Sequence, residues 1–232
     1  MEIHGLQKLT LLDFPGRVAC TVFLAGCPFR CPFCHNSELL SRKAEPIMDD
    51  AELLSFLEKR KTLLDGVAIT GGEPLMTDEI IPLLRSIRAL GYAVKLDTNG
   101  AYPERLKKIV GEGLVDYVAM DVKNSPTRYA ETIGASRYDL TAVRESAAFL
   151  MSGAVDYEFR TTTVAELHDE TSFREIGEWI RGAKRYFIQP FTDRDTVLAE
   201  GLHAPTDDEL KTYAAIMRAY VPDTVMRGSD VK

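Results

Sequence analysis

The sequence predicts an α/β protein: a mostly parallel β-sheet with helices packed outside it, curved into a partial (β/α)6 barrel. Three observations carry that reading. Apolar, β-rich runs recur at 18–24, 66–70, 93–97, 117–122, 157–164 and 186–189. Helical patterns stand between them, and crossovers of that length are what parallel neighbours need. At 232 residues the chain is short of the roughly 250 that a complete eight-fold barrel takes.

In chain order, the first strand leads into a Cys- and Pro-containing loop, and a helix is predicted at 50–61 before the second strand. Ile80, Leu83, Leu84, Ile87 and Leu90 then recur at helical spacing behind a Thr77 cap. Further helices are predicted at 103–112 and 140–151. Phe173, Ile176 and Ile180 line a later one, and Leu210, Tyr213, Met217 and Tyr220 the last. The segments 126–137 and 192–205 read as polar loops placed to cover a site. With no Pro/Gly-rich linker, low-complexity tract or internal repeat beyond the βα rhythm, residues 1–232 are expected to form one domain.

Charge and hydropathy narrow the partners. The net charge of −7, with Lys and Arg scattered, provides no basic field for a phosphate backbone, so no nucleic acid is expected. No apolar stretch reaches the roughly 18 to 20 residues of a membrane span. The N-terminus has no basic segment followed by an apolar run and cleavage site, so a cytoplasmic protein is expected.

Three of the four cysteines lie within GCPFRCPFCHN, at Cys27, Cys31 and Cys34. That C-x3-C-x2-C spacing is too short for three ligands along one helix or strand, so the segment must wrap around something. Thiolates are soft ligands for an iron–sulfur cluster or zinc. A zinc site would take His35 as fourth ligand, although adjacent Cys34 and His35 project awkwardly for one tetrahedral ion. Three thiols on a [4Fe–4S] cube instead leave one iron without a protein ligand. Cys20 alternates with Val18, Val22 and Leu24 and reads as a buried hydrophobe.

The other strand ends carry polar groups too. Thr70-Gly71-Gly72-Glu73-Pro74 follows the second strand; Cβ-free glycines let carbonyls approach a ligand, and Glu73 suits an ammonium group, while Gly-Gly alone is a turn. The third strand ends in Asp97-Thr98-Asn99-Gly100 and the fourth in Asp121-Val122-Lys123. Asp97 and Asp121 suit ribose hydroxyls or a shared cation; Thr98-Asn99-Gly100 also reads as a turn, and Lys123 as a solvated charge. Arg160, inside the fifth strand, either faces a polar cavity or pairs with an acid. Gln189 ends the sixth. Trp179 reads as core, and His4, His168 and His203 receive no role. Ligand sites in parallel α/β proteins lie at the carboxyl ends of strands, so these groups predict one shared pocket.

The cysteine loop directly after a first strand resembles the signature of the radical S-adenosylmethionine (SAM) superfamily, and CxxCHN is similar to the glycyl-radical-enzyme activases. The opening GLQKLTLLDFPGRVACTVFLAGCPFRCPFCHN resembles the activating proteins of anaerobic ribonucleoside-triphosphate reductase, relatives of pyruvate formate-lyase activating enzyme. The resemblance implies that Cys27, Cys31 and Cys34 hold a [4Fe–4S] cluster whose open iron chelates SAM. Reductive cleavage then gives a 5′-deoxyadenosyl radical that removes a hydrogen from a partner enzyme's glycine. It assigns the SAM amino group to Gly71, Gly72 and Glu73, and the carboxylate to Lys123 or Arg160. Further SAM contacts fall to Phe33, His35, Asp97, Thr98, Asn99, Asp121 and Gln189, with a monovalent cation near Asp97 and Asp121. Thr192 stands where pyruvate formate-lyase activase has a histidine. The implied partners are a glycyl radical enzyme and a flavodoxin or ferredoxin-type electron donor. A small-molecule substrate, as in 7-carboxy-7-deazaguanine synthases, and a non-enzymatic metal-binding module are the competing readings.

Overall fold

The computed structural model describes residues 1–41, 43 and 45–228. Chain order runs β1 (Glu2–Ile3), β2 (Gly5–Thr10), β3 (Ala19–Leu24), β4 (Met48–Asp49), α1 (Asp50–Glu58), β5 (Gly66–Gly71), α2 (Ile80–Ala89), β6 (Ala93–Thr98), α3 (Pro103–Gly111) and β7 (Tyr117–Asp121). It continues with α4 (Tyr129–Thr132), α5 (Thr141–Met151), β8 (Asp156–Thr163), α6 (Glu170–Trp179), β9 (Tyr186–Pro190), α7 (Asp207–Arg218) and β10 (Thr224–Met226). Eight strands form one sheet, ordered β10-β9-β8-β7-β6-β5-β3-β2. Every pairing in it is parallel except β2 with β3. β1 and β4 pair separately.

The six predicted strands are β3 and β5 to β9. Two further strands escape the hydrophobic pattern. β2 is an edge strand whose Gln7, Lys8 and Leu9 face solvent, and β10 is only three residues long. Two local expectations are corrected. Thr77 does not cap α2: its hydroxyl accepts the Glu79 amide at 3.3 Å, and Glu79 occupies the cap position. The segment 126–137 is not simply a polar loop, because it contains α4 and buries Tyr129, Thr132 and Ile133.

Alternation along each strand separates two environments. Cys20, Val22, Val67, Ile69, Val94, Leu96, Val118 and Phe159 belong to the continuous core that also takes in Leu53, Leu84, Ile87, Leu106 and Ile109 from the helices. Cys20 is therefore the buried hydrophobe its spacing predicts. The opposite face carries Lys95, Asp97, Asp121, Glu158 and Arg160. At the amino ends of the strands this inner face is plugged. Phe14, from the β2–β3 connection, packs with Ala19, Ala93 and Tyr117. Beside them the fully buried Glu158 accepts from Tyr117 Oη at 2.8 Å and from both terminal nitrogens of Arg227 at 2.8 Å. Among the described residues no helix is long and apolar enough to cross a membrane.

Removing one partner of a buried pair strands the other charge. Arg227→Ala is therefore expected to cost about 3 kcal/mol in urea unfolding, the low end for such pairs, because Arg227 itself is 31% exposed. A loss below a few tenths would mean Glu158 does not depend on it.

Candidate active site

The cysteine loop leaves β3 at Leu24 and is held by backbone bonds before any ligand is considered. Gly26 and Cys27 amides donate to the Leu39 and Leu40 carbonyls, across the single helical turn Ser37–Leu39. From β5, the Gly72 and Glu73 amides donate to Leu24 and Gly26. This contact is what demands glycine. A Cβ on Gly71, which has φ +121°, would sit 2.2 Å from the Leu24 carbonyl oxygen, and one on Gly72 would sit 2.3 Å from that of Gly26. The Gly-Gly pair is thus shaped by the cysteine loop's own backbone.

Two more segments brace the loop. Arg30 N donates to Ile133 O at 2.9 Å, and Phe29 meets Tyr129 and Tyr138 edge-on. On the other side, the stretch 192–199 acts as a strap. His35 Nε2 lies 2.6 Å from the Thr192 carbonyl, Thr196 Oγ1 donates to the His35 carbonyl at 2.7 Å, Ser37 Oγ donates to the Thr196 carbonyl, and Ala199 N donates to Pro32 O at 3.0 Å. The His35 ring also stacks on Phe191.

Above this scaffold lies one cavity at the carboxyl ends of the strands. It is lined by Cys27, Cys31, Phe33, Cys34, His35, Gly71, Gly72, Asp97, Thr98, Asn99, Asp121, Lys123, Arg160 and Gln189. Of the predicted site residues only Glu73 is missing from that wall. Phe29, Asn36, Leu40, Thr70 and Thr162 also line it. Thr162 is two residues beyond Arg160, so strand alternation contains the signal for it. Phe29 and Leu40 are buried apolar side chains with no such signal. His168, given no role from sequence, is buried with Nε2 3.0 Å from the Lys123 carbonyl, steadying that segment from behind.

All three loop cysteines are free thiols. Burial pushes Cys27 up to about 11 and Cys31 up to about 12, so metal binding there must expel protons. Among the described residues no three His, Cys, Asp or Glu groups converge on a single metal ion, and the His35 Nε2 is occupied by Thr192. A tetrahedral zinc site does not fit. Three soft sulfurs spread around a cavity fit the larger [4Fe–4S] cube.

The cavity floor is a ladder of alternating charge. Lys95 Nζ lies 2.5 Å from Asp97, Arg160 bridges Asp97 at 3.1 Å and Asp121 at 2.5 Å, and Lys123 lies 2.8 Å from Asp121. Burial raises both carboxyls, but Arg160, with Lys95 at Asp97 and Lys123 at Asp121, overrides it and holds both below the usual range. Arg160 is thereby the partner of two acids. The positive charge between Asp97 and Asp121, where a monovalent cation is expected from the resemblance, is the Arg160 guanidinium.

Glu73 stands behind the cavity wall and does not line it. It is 2% exposed, and its Oε1 accepts Leu75 N at 3.0 Å and Thr98 Oγ1 at 2.8 Å while Oε2 accepts Asn99 N at 2.7 Å. These bonds tie the carboxylate to the end of β6. Burial outweighs these bonds and lifts its pKa to about 7. A carboxyl raised on folding favours the folded state below its unfolded value of about 4.5, and that contribution is lost as pH rises through about 7. The metal-free protein should lose up to about 3 kcal/mol from this group between pH 4.5 and 8. Glu73→Gln should flatten that part of the urea-unfolding profile; an unchanged slope would assign it to another group.

Residues 21–164 match the radical SAM superfamily. A Methanocaldococcus jannaschii protein, provisionally named a glycyl-radical enzyme activating enzyme, is 31% identical over 97% of this chain and 95% of its own. The 7-carboxy-7-deazaguanine synthase of Koribacter versatilis is 31% identical over 78% of this chain and 81% of its own. Among solved structures, a radical SAM methyltransferase from Sphaerobacter thermophilus superposes with a TM-score of 0.73 at 15% identity, covering 96% of this chain and 70% of that one. With a match over more than half its length, and with three free thiols facing the polar rim of a partial barrel, the chain belongs to the radical SAM superfamily.

Proposed function

We propose that this radical SAM enzyme is a glycyl-radical-enzyme activase, acting as a single domain in the cytoplasm on a partner that is an anaerobic ribonucleotide reductase. The observation that carries the reading is identity at 31% over nearly the full length of both chains with the archaeal protein of that name. CxxCHN after the first strand supports it.

Within this reading Cys27, Cys31 and Cys34 hold the cluster, and the cavity wall beside them holds SAM. When bound, the cluster and SAM supply the one-electron cleavage and the hydrogen abstraction from a glycine Cα, with the electron drawn from a flavodoxin or ferredoxin-type donor. The chain supplies position. Lys123 has one carboxylate partner, Asp121, and keeps donors for the SAM carboxylate. Arg160 acts through the two aspartates it bridges. Gly71 and Gly72 present backbone to the amino group, with the Gly71 carbonyl oriented by Asn36 Nδ2 at 3.1 Å. Asp97, Thr98 and Asn99 edge one side of the cofactor, and Phe33, His35 and Gln189 the other. No side chain is needed as a general acid or base.

The relation to the Koribacter synthase supports a second reading, with a small molecule as the substrate. One experiment separates them. Anaerobic reconstitution with iron and sulfide, reduction and addition of SAM should yield 5′-deoxyadenosine. Cys31→Ala should abolish the cluster, and Cys20→Ala should leave it intact. Adding an anaerobic ribonucleotide reductase should then produce a glycyl signal in electron paramagnetic resonance. Absence of 5′-deoxyadenosine with a confirmed cluster overturns SAM cleavage, and turnover of a purine-like small molecule without any glycyl signal overturns the activase.

A further inference from the structure

We propose that Asn99 is a positioning residue that sets the reduction potential of the cluster, through an N–H···S hydrogen bond to Cys27, and that Glu73 holds it in place. This rests on the reading of Cys27 as a cluster ligand.

Asn99 Nδ2 lies 3.7 Å from Cys27 Sγ. The Phe29 amide also donates to that sulfur, at 3.4 Å. Among the described residues Cys31 and Cys34 receive no such donor, so the loop treats its three sulfurs unequally. The orientation of the amide is decided by its other end. Asn99 Oδ1 accepts the Ala101 amide at 3.0 Å, which leaves Nδ2 to face the sulfur. The backbone is pinned as well, since Asn99 N donates to Glu73 Oε2 at 2.7 Å and Thr98 Oγ1 donates to Glu73 Oε1 at 2.8 Å. Asn99 is 5% exposed.

Adding an electron to an iron–sulfur cluster increases the negative charge on its ligand sulfurs, and a donor to such a sulfur stabilises that state. In a buried site the effect is larger than in water. Asn99 therefore makes the cluster easier to reduce. Glu73 needs no contact with cofactor to matter: it fixes the strand end from which the amide reaches Cys27.

The test is a redox titration of the reconstituted protein without SAM, followed by electron paramagnetic resonance. Asn99→Leu removes the donor at similar size, and Asn99→Asp keeps the acceptor for Ala101 while replacing the amide nitrogen. Both should lower the reduced-to-oxidised ratio at a fixed potential about tenfold, a shift of about 59 mV for one electron, with four irons retained per chain. Cys20→Ala should leave the ratio unchanged. The wild type, labelled with ¹⁵N in asparagine side-chain amides, should show a nitrogen coupling to the reduced cluster. Variants that load normally and titrate like the wild type overturn the proposal. So does a labelled wild type with no coupling, and that measurement needs no variant to fold. A wild type that assembles no cluster instead overturns the reading of Cys27 as a ligand.

Discussion

The inner wall of the barrel depends on the neutralisation of five ionic side chains at a depth where water does not solvate them fully. Lys95, Asp97, Arg160, Asp121 and Lys123 lie in that order, each cation beside an anion. Removing Asp97 takes away the carboxylate beside Lys95, and removing Asp121 the one beside Lys123, so the two acids are the members whose loss leaves a charge uncompensated. It also ties strands together. Asp121 and Arg160 are register partners across β7 and β8, while Lys95 and Asp97 belong to β6. A slip of one residue would turn these charges into the apolar layer under the helices. The ladder thus enforces the register that brings the strand ends level. With three cations and two anions it keeps one positive charge in excess, in a cavity whose expected occupant carries a carboxylate.

The cysteine loop solves a different problem. Eight residues with three thiols and two prolines have no regular backbone pairing of their own, so partners come from elsewhere. They come from β5 through Leu24 and Gly26, from the α4 segment through Ile133, and from the strap through Thr192, Thr196 and Ala199. All of these bonds are made by the chain itself. Much of the ordering that ligand binding would otherwise have to impose is already made in the fold. What remains at loading is removal of protons from thiols whose burial holds them protonated.

Strand positions were legible because both faces of a parallel strand are covered, and Val18–Leu24 or Tyr117–Val122 stand out as apolar runs between turn residues. Strand ends then located the site, since a parallel sheet puts every carboxyl terminus on one rim. Side-chain direction was less legible. Glu73 belongs to a motif that reads as ligand-binding, yet its direction is set by Thr98 and Asn99, 25 and 26 residues later. The same holds for Arg160: a strand arginine must be paired, but only β6–β7–β8 register decides that it takes both Asp97 and Asp121. The strap was read as a loop over a site; its grip on His35 and Ser37 spans about 160 residues of sequence and has no local trace.

The sealed end and the open end of the barrel follow from one asymmetry. At the amino ends of the strands the inner face carries Phe14, Tyr117 and the Glu158–Arg227 pair, groups that fill space and satisfy one another. At the carboxyl ends it carries groups with bonding capacity left over: Lys123 with one carboxylate partner, backbone at Gly71 and Gly72, and the three thiols. Apolar filling and mutual pairing leave the lower half nothing to offer a ligand. The upper half is held by bonds directed sideways, from loop to strand and strand to strand, which leaves its inward groups free. The cavity therefore lies at the carboxyl rim, where the strap and the α4 segment brace the cysteine loop that forms part of its wall.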